Sequence, residues 1–271
     1  MFFVPFLIMF REGLEAALIV GILAGYLVKI GRRGDFSKLF LGVGSAVGIC
    51  ILVGFGLTYA VTEAPEGINE LIAGTMSIIA VAFVTWMIFW MARESRKLGG
   101  SLRSKIDAAV QGSIWSLSFV AFFAVIREGI ETSVLLWSAT KSVGNDGSPA
   151  WGAFLGLATA TVLGYLLYRG SLKVNLGIFF KYTGAYLIVV AAGILSYGIH
   201  ELQEIGWINL LPQKAYDLSV AIPDGSVLHA VLKGVIAFDT APTLLQALAW
   251  FAYLIPVAVI YWRASFRKVA K

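Results

Sequence analysis

The sequence is poor in charge, cysteine and histidine. Only 14% of its 271 residues are charged, whereas 59% are hydrophobic, and the mean hydropathy is +0.83. This composition excludes an ordinary water-soluble domain. The single cysteine, Cys50, excludes an intrachain disulfide and a thiolate metal cluster, and its apolar surroundings favour a small lipid-facing or core-facing residue. With only two histidines, sites for copper or structural zinc are disfavoured.

Long apolar runs occupy most of the chain. A membrane-spanning helix needs about 20 mostly apolar residues. Seven such runs lie at about 2–28, 39–61, 69–91, 112–140, 151–168, 178–199 and 244–262. They predict an all-α polytopic membrane protein with seven transmembrane helices in a single membrane domain, 1–271. Residues 1–10 contain neither a basic segment nor a small-residue cleavage site, so we expect the first run to remain as a helix.

The basic residues are distributed unevenly among the connections between these runs. Fifteen lysines and arginines lie in 29–38, 93–105, 169–173 and 263–271. The opposite connections contain three, Lys141, Lys214 and Lys233. By the positive-inside rule, the N-terminus is predicted to lie outside and the C-terminus in the cytoplasm. The formal charge of +5 is therefore interpreted as membrane topology, and no nucleic-acid partner is expected.

One charged motif occurs twice. The letters REGLE at residues 11–15 return as REGIE at residues 127–131, a spacing of 116 residues. With three crossings in each unit, the motif helices run in opposite directions, as in inverted-repeat transporters whose site lies near the bilayer midplane. We predict a 3+3 inverted repeat plus one helix. The divisions are repeat one at about 1–92, repeat two at about 112–200, an outer loop at about 201–243 and the seventh helix at about 244–262.

The two motifs place ionisable side chains near the middle of apolar runs. Each such side chain costs about 2.5–3.5 kcal/mol to insert at the bilayer centre, so a function is the default inference. Carboxylates three residues apart share one helix face, and four of them provide the oxygen ligands that hard cations prefer. The predicted metal ligands are Glu12, Glu15, Glu128 and Glu131, with Arg11 and Arg127 as supporting residues. A purely structural role in ion pairs would leave Glu12 and Glu128 unpaired.

A second polar group follows the sixth run, at His200, Glu201 and Glu204. Two carboxylates at a helix C-terminus are unfavourable unless a cation lies nearby, so an outer capture site is one interpretation. A solvated polar helix end is the other. The letters HELQE also resemble the HExxH helix of zinc proteases, but the second histidine is missing, which argues against a metalloprotease.

Other patterns concern membrane boundaries and helix contacts. Trp86 and Trp90 lie near a predicted interface and are interpreted as part of an aromatic belt. The basic stretch 93–111 is expected to form a surface helix, and 201–243 is expected to contain short helices and turns. Glycine pairs four residues apart allow close helix contact. They are Gly21 and Gly25, Gly44 and Gly48, and Gly152 and Gly156.

The repeated motif and its surroundings resemble the oxidase-dependent iron permeases, a family that includes fungal high-affinity permeases and bacterial EfeU-type ferrous iron permeases. The matching segments are FVPFLIMFREGLEAALIVG, WMIFWM, FFAVIREGIET, HELQEIGW and WFAYLIP, so the resemblance covers nearly the whole chain. It implies that the four motif glutamates bind iron on the translocation path and that the two arginines support them. It also implies an inner (plasma) membrane location, external iron-oxidising or iron-delivery partners, and iron as substrate with no resident cofactor.

Several alternatives stay open at this point. The same ligands could carry another divalent cation such as manganese or lead, and either Fe²⁺ or Fe³⁺ accepts carboxylate oxygen. A membrane metalloenzyme would use the carboxylates for a catalytic metal, although we do not expect an enzyme. A scaffold of an iron-uptake complex would not need the motif carboxylates at all.

Overall fold

The computed structural model describes residues 2–62, 67–94, 114–143, 148–169, 176–223 and 226–266. These ranges contain eight α-helices and no named strand. They are α1 (Phe3–Lys29), α2 (Phe36–Thr62), α3 (Ile68–Glu94), α4 (Ile114–Val143), α5 (Ser148–Tyr168), α6 (Leu176–Glu204), α7 (Val227–Ile236) and α8 (Leu244–Phe266). A short 3₁₀ helix, Arg33–Asp35, precedes α2. A long helix thus occurs at each of the seven apolar runs.

Five of these helices are long and apolar enough to cross a bilayer. Their apolar parts are Arg33–Gly56, Ile68–Met91, Pro149–Tyr168, Gly177–Glu204 and Leu244–Ser265. The other two long helices, α1 and α4, each carry the three charged residues of REGLE or REGIE within their apolar sequence. The chain is therefore an all-helical polytopic membrane protein, as the sequence predicts.

The local sequence explains where several helices begin and end. Gly31 after α1 and Gly206 after α6 both have φ of 74°, a left-handed conformation that glycine adopts without strain. In each case two backbone N–H groups return to the last helical turn, as in a Schellman motif. Thr243 caps the start of α8: its hydroxyl accepts from Gln246 N, and its own N–H donates to Gln246 Oε1 at 2.7 Å.

The segment between α6 and α8 contains turns and the short helix α7, which confirms the prediction of short helices and turns there. Ser226 caps α7 by accepting a hydrogen bond from His229 N. Lys214 Nζ donates to Asp217 Oδ2 at 2.8 Å, and this hydrogen bond, with those from Ser219, lowers the pKa of Asp217. Asp217 is therefore a fixed negative charge at neutral pH. The predicted surface helix after α3 lies mostly outside the described residues.

Packing between the helices follows a regular scheme. Helix α1 packs mainly against α5, and α4 packs mainly against α2. Helices α3 and α6 contact each other, α1 contacts α4, and α8 lies against α6. The main buried core is formed by side chains of α1, α3, α4, α6 and α8, including Ile8, Met87, Leu135, Ile188 and Tyr261.

Glycines permit the closest helix contacts. A side chain at Gly152 or Gly156 of α5 would overlap backbone atoms of Phe2, just before α1, or of Phe6 in α1, so close contact at this predicted pair is confirmed. Gly21 and Gly25 lie in ordinary contact distance of Tyr168. The prediction for Gly44 and Gly48 is wrong, because both are exposed on α2 and no described atom lies near the position of a Cβ.

Candidate metal centre

Helix α1 carries the first motif into the protein interior. Arg11 is 0% exposed and Glu12 is 1% exposed, which is exceptional for charged side chains. Arg11 Nη1 lies 2.7 Å from Glu12 Oε1, and Arg11 Nη2 lies 3.3 Å from Glu15 Oε1. One guanidinium therefore compensates part of the charge of both carboxylates, in the geometry that its fork of donors allows.

Helices α3 and α6 complete the surroundings of this arginine. Arg11 Nη1 also lies 3.2 Å from the sulfur of Met87, and the Phe180 ring centroid is 5.9 Å from Arg11 Cζ. Thioether and aromatic groups are weak partners for a cation compared with a carboxylate. The strong partners of Arg11 are thus Glu12 and Glu15, which fixes both carboxylates in place.

Helix α4 carries the second motif in a different environment. Arg127 is 38% exposed at its side chain, whereas Glu128 and Glu131 are buried. Arg127 Nε donates to Glu131 Oε1 at 2.9 Å and lies 4.0 Å from Glu128 Oε1. Its guanidinium lies over the indole ring of Trp90, with Trp86 farther away. The two chemically equivalent motifs are therefore held differently.

Three carboxylates from the two motif helices meet at the α1–α4 contact. One oxygen each from Glu12, Glu15 and Glu128 lies within 4.8 Å of the others. Repulsion between two carboxylates at that distance is roughly 3 kcal/mol at an effective dielectric constant of about 20. Arg11 supplies one compensating charge, so the ionised group has two uncompensated negative charges. A bound divalent cation would balance them, and all the donors are the oxygens that hard cations prefer.

Glu131, the fourth predicted ligand, is not part of this group. Its Oε1 accepts from Arg127, and its Oε2 is buried without a hydrogen-bond donor among the described residues. It lines a small cavity of about 60 Å³ between α3 and α4, together with Met87. Glu12 Oε2 likewise has no donor in the described part of the chain. Buried acceptors without donors are costly, and a metal ion would satisfy them.

A larger cavity of about 300 Å³ adjoins the carboxylates. It lies among α1, α2, α4 and α5, and its wall includes Glu12, Glu128, Cys50, Thr132 and Ser133. Cys50 is partly buried and packs against α4, which agrees with the core-facing alternative of the sequence interpretation. Its position beside Gly129 turns it toward the motif helix and this cavity.

The second predicted site lies elsewhere. His200 Nε2 is 4.0 Å from Glu204 Oε2 at the C-terminal end of α6, and both side chains are more than half exposed. Glu201 is half-buried and accepts a hydrogen bond from the Tyr197 hydroxyl. These residues are outside the three-carboxylate group.

Comparison with known proteins assigns the chain to a family. The model of the iron permease FTR1 family matches residues 2–265. The ferrous iron permease EfeU of Escherichia coli O6:K15:H31 (strain 536 / UPEC) is 40% identical over 263 residues, covering 96% of this chain and 95% of that protein. The ferrous iron permease EfeU of Yersinia pestis is 37% identical over 263 residues, covering 96% and 93%. The chain belongs to the iron permease FTR1 family. The resemblance drawn from the sequence is thereby confirmed, and no solved structure matches the chain.

In this iron permease family member, three residues of the site escaped the sequence interpretation. Trp90, assigned to an aromatic belt, stacks on Arg127. Met87, one turn earlier on α3, contacts Arg11. Both belong to the letters WMIFWM that carried the resemblance, but nothing in their spacing indicates a contact with the motifs. Cys50 is the third. Its contact with Gly129 of the second motif places it beside the carboxylates, and only the structure shows this contact.

Proposed function

We propose that this chain is an iron permease that moves iron ions across the inner (plasma) membrane into the cytoplasm. The observation that carries the proposal is the meeting of Glu12, Glu15 and Glu128 within 4.8 Å at the contact of the two motif helices. Membership of an iron permease family supports iron as the cargo. Iron is the substrate in this scheme, and no resident cofactor takes part.

The four motif glutamates serve as ligands at successive points of the path. Glu12, Glu15 and Glu128 bind the ion first, because they already converge. Glu131 joins at a later point, because Arg127 holds its Oε1 by a hydrogen bond of 2.9 Å while its Oε2 has no donor among the described residues. Arg11 and Arg127 orient the carboxylates and favour their ionised form, which opposes the effect of burial.

The proposed architecture has seven transmembrane helices within one membrane domain, a 3+3 inverted repeat plus α8. In this repeat, α1, α2 and α3 (about 1–92) correspond to α4, α5 and α6 (about 112–200). The contact of α1 with α5 then corresponds to that of α4 with α2, and the α1–α4 and α3–α6 contacts each join corresponding helices. This correspondence supports two related halves with a site between them. The distribution of basic residues supports an external N-terminus and a cytoplasmic C-terminus.

On the outer side, His200, Glu201 and Glu204 are proposed to concentrate cations before entry, with Asp217 adding negative charge nearby in the sequence. External iron-oxidising or iron-delivery proteins are the proposed partners.

The test is uptake of radiolabelled iron into proteoliposomes containing the purified protein. Iron is supplied as Fe²⁺ with a reductant and separately as chelated Fe³⁺. Wild type is compared with Glu15→Gln and Glu128→Gln, which preserve shape and remove charge. We expect each substitution to lower the initial rate by more than about tenfold, because a lost ligand costs more than about 1.4 kcal/mol.

Asp35→Asn is the matched control, since Asp35 pairs with Arg32 and Lys38 outside both motif helices. Normal uptake by both glutamine variants would reject the carboxylate path, whereas no uptake by wild type in either oxidation state would point to an obligatory external partner or to the scaffold alternative. Manganese uptake that iron fails to inhibit would reject iron as the cargo. Turnover of a substrate by detergent-solubilised protein would instead indicate a metalloenzyme.

A further inference from the structure

The cavity of about 300 Å³ beside the carboxylates has mostly apolar walls and opens toward the lipid. Its rim includes Val47 and Ile51 of α2 and Leu157 of α5, and all three side chains are exposed. Exposed apolar side chains in the middle of membrane helices contact lipid tails, which are as apolar as leucine. A molecule that enters this cavity therefore comes from the lipid and has an apolar body.

The volume of the cavity suits an alkyl chain. An apolar cavity of about 150 Å³ stays dry and admits benzene, so one of about 300 Å³ admits on the order of ten carbon atoms. Met9, Gly13 and Ala16 of α1 form its inner wall. A helix of about 10 Å diameter exceeds this volume in a single turn, so a helix of another chain cannot reach that wall.

Two acidic side chains interrupt the apolar lining. Glu12 and Glu128 lie on the cavity wall and also belong to the three-carboxylate group. Glu12 is almost completely buried, and its Oε2 has no donor among the described residues. The hydroxyls of Thr132 and Ser133 on the same wall donate to backbone carbonyls of their own helix, so they do not supply the missing proton. The cavity thus offers a negatively charged acceptor to a ligand with an apolar body.

The spacing of the three carboxylates matches a primary ammonium group. The oxygens of Glu12, Glu15 and Glu128 lie within 4.8 Å of one another. A point equidistant from three oxygens at that spacing lies about 2.8 Å from each, which is the length of an N⁺–H···O⁻ hydrogen bond. An ammonium group has three N–H donors, one for each oxygen. Its charge offsets one of the two negative charges that Arg11 leaves uncompensated.

We propose that this cavity binds a primary alkylamine of about ten carbons, with its ammonium group among the three carboxylates and its chain along the apolar walls. The amine enters from the lipid and occupies the place of the metal ion, so it is a competitive inhibitor. The binding site follows from the geometry of the cavity, whereas the inhibition of iron uptake rests on the proposed function.

A photoreactive amine tests the site in wild-type protein. Reconstituted protein is irradiated with a decylamine analogue that carries a diazirine in mid-chain, and mass spectrometry locates the label. The matching decanol and decyltrimethylammonium analogues are the controls, because the first lacks the charge and the second lacks N–H donors. We expect the amine to label the α1 segment around Ala16 at least about tenfold more than either control. Manganese should reduce this labelling, since it competes for the same oxygens.

Two substitutions separate the chain pocket from the charged end. Ala16→Ile fills the cavity without changing a carboxylate, so it should abolish amine labelling of α1 and retain thermal stabilisation by manganese. That stabilisation also shows that the variant is folded. Glu12→Gln should reduce amine labelling to the level of the decanol analogue, because an acceptor and a charge are lost. Ala150→Ile, at an exposed alanine at the start of α5, is the matched control and should be labelled like wild type.

The outcomes distinguish this proposal from the proposed function. Equal labelling by the amine and the decanol analogue indicates a pocket for any lipid tail and overturns the ammonium site, as does amine labelling that Ala16→Ile leaves unchanged. Amine labelling that manganese suppresses, without iron uptake by the same liposomes, supports the site and rejects iron transport. Iron uptake that decylamine inhibits in wild type and Ala150→Ile, but not in Ala16→Ile, supports both, because effects on the bilayer are common to all three proteins.

Discussion

The guanidinium of Arg127 lies over the indole ring of Trp90, with 4.4 Å between Cζ and the ring centroid. The same guanidinium donates to Glu131, so the tryptophan and the carboxylate hold the arginine together. A cation that is only partly solvated gains from such a ring. This contact keeps Arg127 in one orientation although its side chain is 38% exposed. Arg127 in turn fixes Glu131, the motif carboxylate outside the three-carboxylate group.

Replacement of Trp90 tests this relationship. Trp90→Leu should reduce iron uptake by about fivefold, since a contact of about 1 kcal/mol is lost, whereas Trp90→Phe should retain most activity because a ring remains. Initial uptake rates in proteoliposomes measure the effect. Trp207→Leu, at a tryptophan that is 68% exposed beyond α6, is the control. Equal losses in Trp90→Leu and Trp90→Phe would show that ring stacking is not the cause.

Gly129→Ala should destabilise the protein by about 1–3 kcal/mol, because the new methyl group overlaps the sulfur of Cys50. The thermal midpoint of the detergent-solubilised protein measures the loss. Gly48→Ala on α2 should have little effect, since no described atom lies near its Cβ position. Adding Cys50→Ala to Gly129→Ala removes the overlapping sulfur, so the double variant should recover part of the lost stability. A double variant no more stable than Gly129→Ala would contradict the contact.

Loss of Arg11 should be more damaging than loss of Arg127. Arg11→Gln leaves three buried carboxylates without their cation, and breaking a buried ion pair costs about 3–5 kcal/mol. Arg127→Gln affects a partly exposed side chain, so solvent offsets part of the change. Thermal midpoints and the yield of monodisperse protein compare the two variants. A larger loss for Arg127→Gln would show that the first motif does not depend on its arginine.

Metal binding should stabilise the protein against heating. A ligand at about 100 times its dissociation constant adds about 2.7 kcal/mol. Manganese or anaerobic Fe²⁺ should therefore raise the thermal midpoint of wild type and of Asp35→Asn, and the shift should disappear in Glu15→Gln because a ligand oxygen is lost. Potassium at equal ionic strength controls for general ionic effects. A shift of the same size in Glu15→Gln would place the binding site elsewhere.

The sequence by itself determined the class of the protein and the chemistry of its site. Apolar runs of helix-spanning length require helices in a bilayer, because unpaired backbone groups are too costly there. Two copies of a motif with two glutamates each, Glu12 with Glu15 and Glu128 with Glu131, identify oxygen ligands for a cation. These conclusions depend only on residue type and spacing along one helix.

Only the tertiary structure decided which residues of different helices meet. Glu12, Glu15 and Glu128 converge while Glu131 pairs with Arg127, although the two motifs are nearly identical in sequence. Likewise Cys50 faces a cavity and Trp90 faces an arginine. In a membrane protein the lipid-facing and core-facing sides of a helix are both apolar, so periodicity does not reveal how each helix is rotated. That rotation is set by contacts between helices, such as Gly129 against Cys50, which the linear sequence does not display.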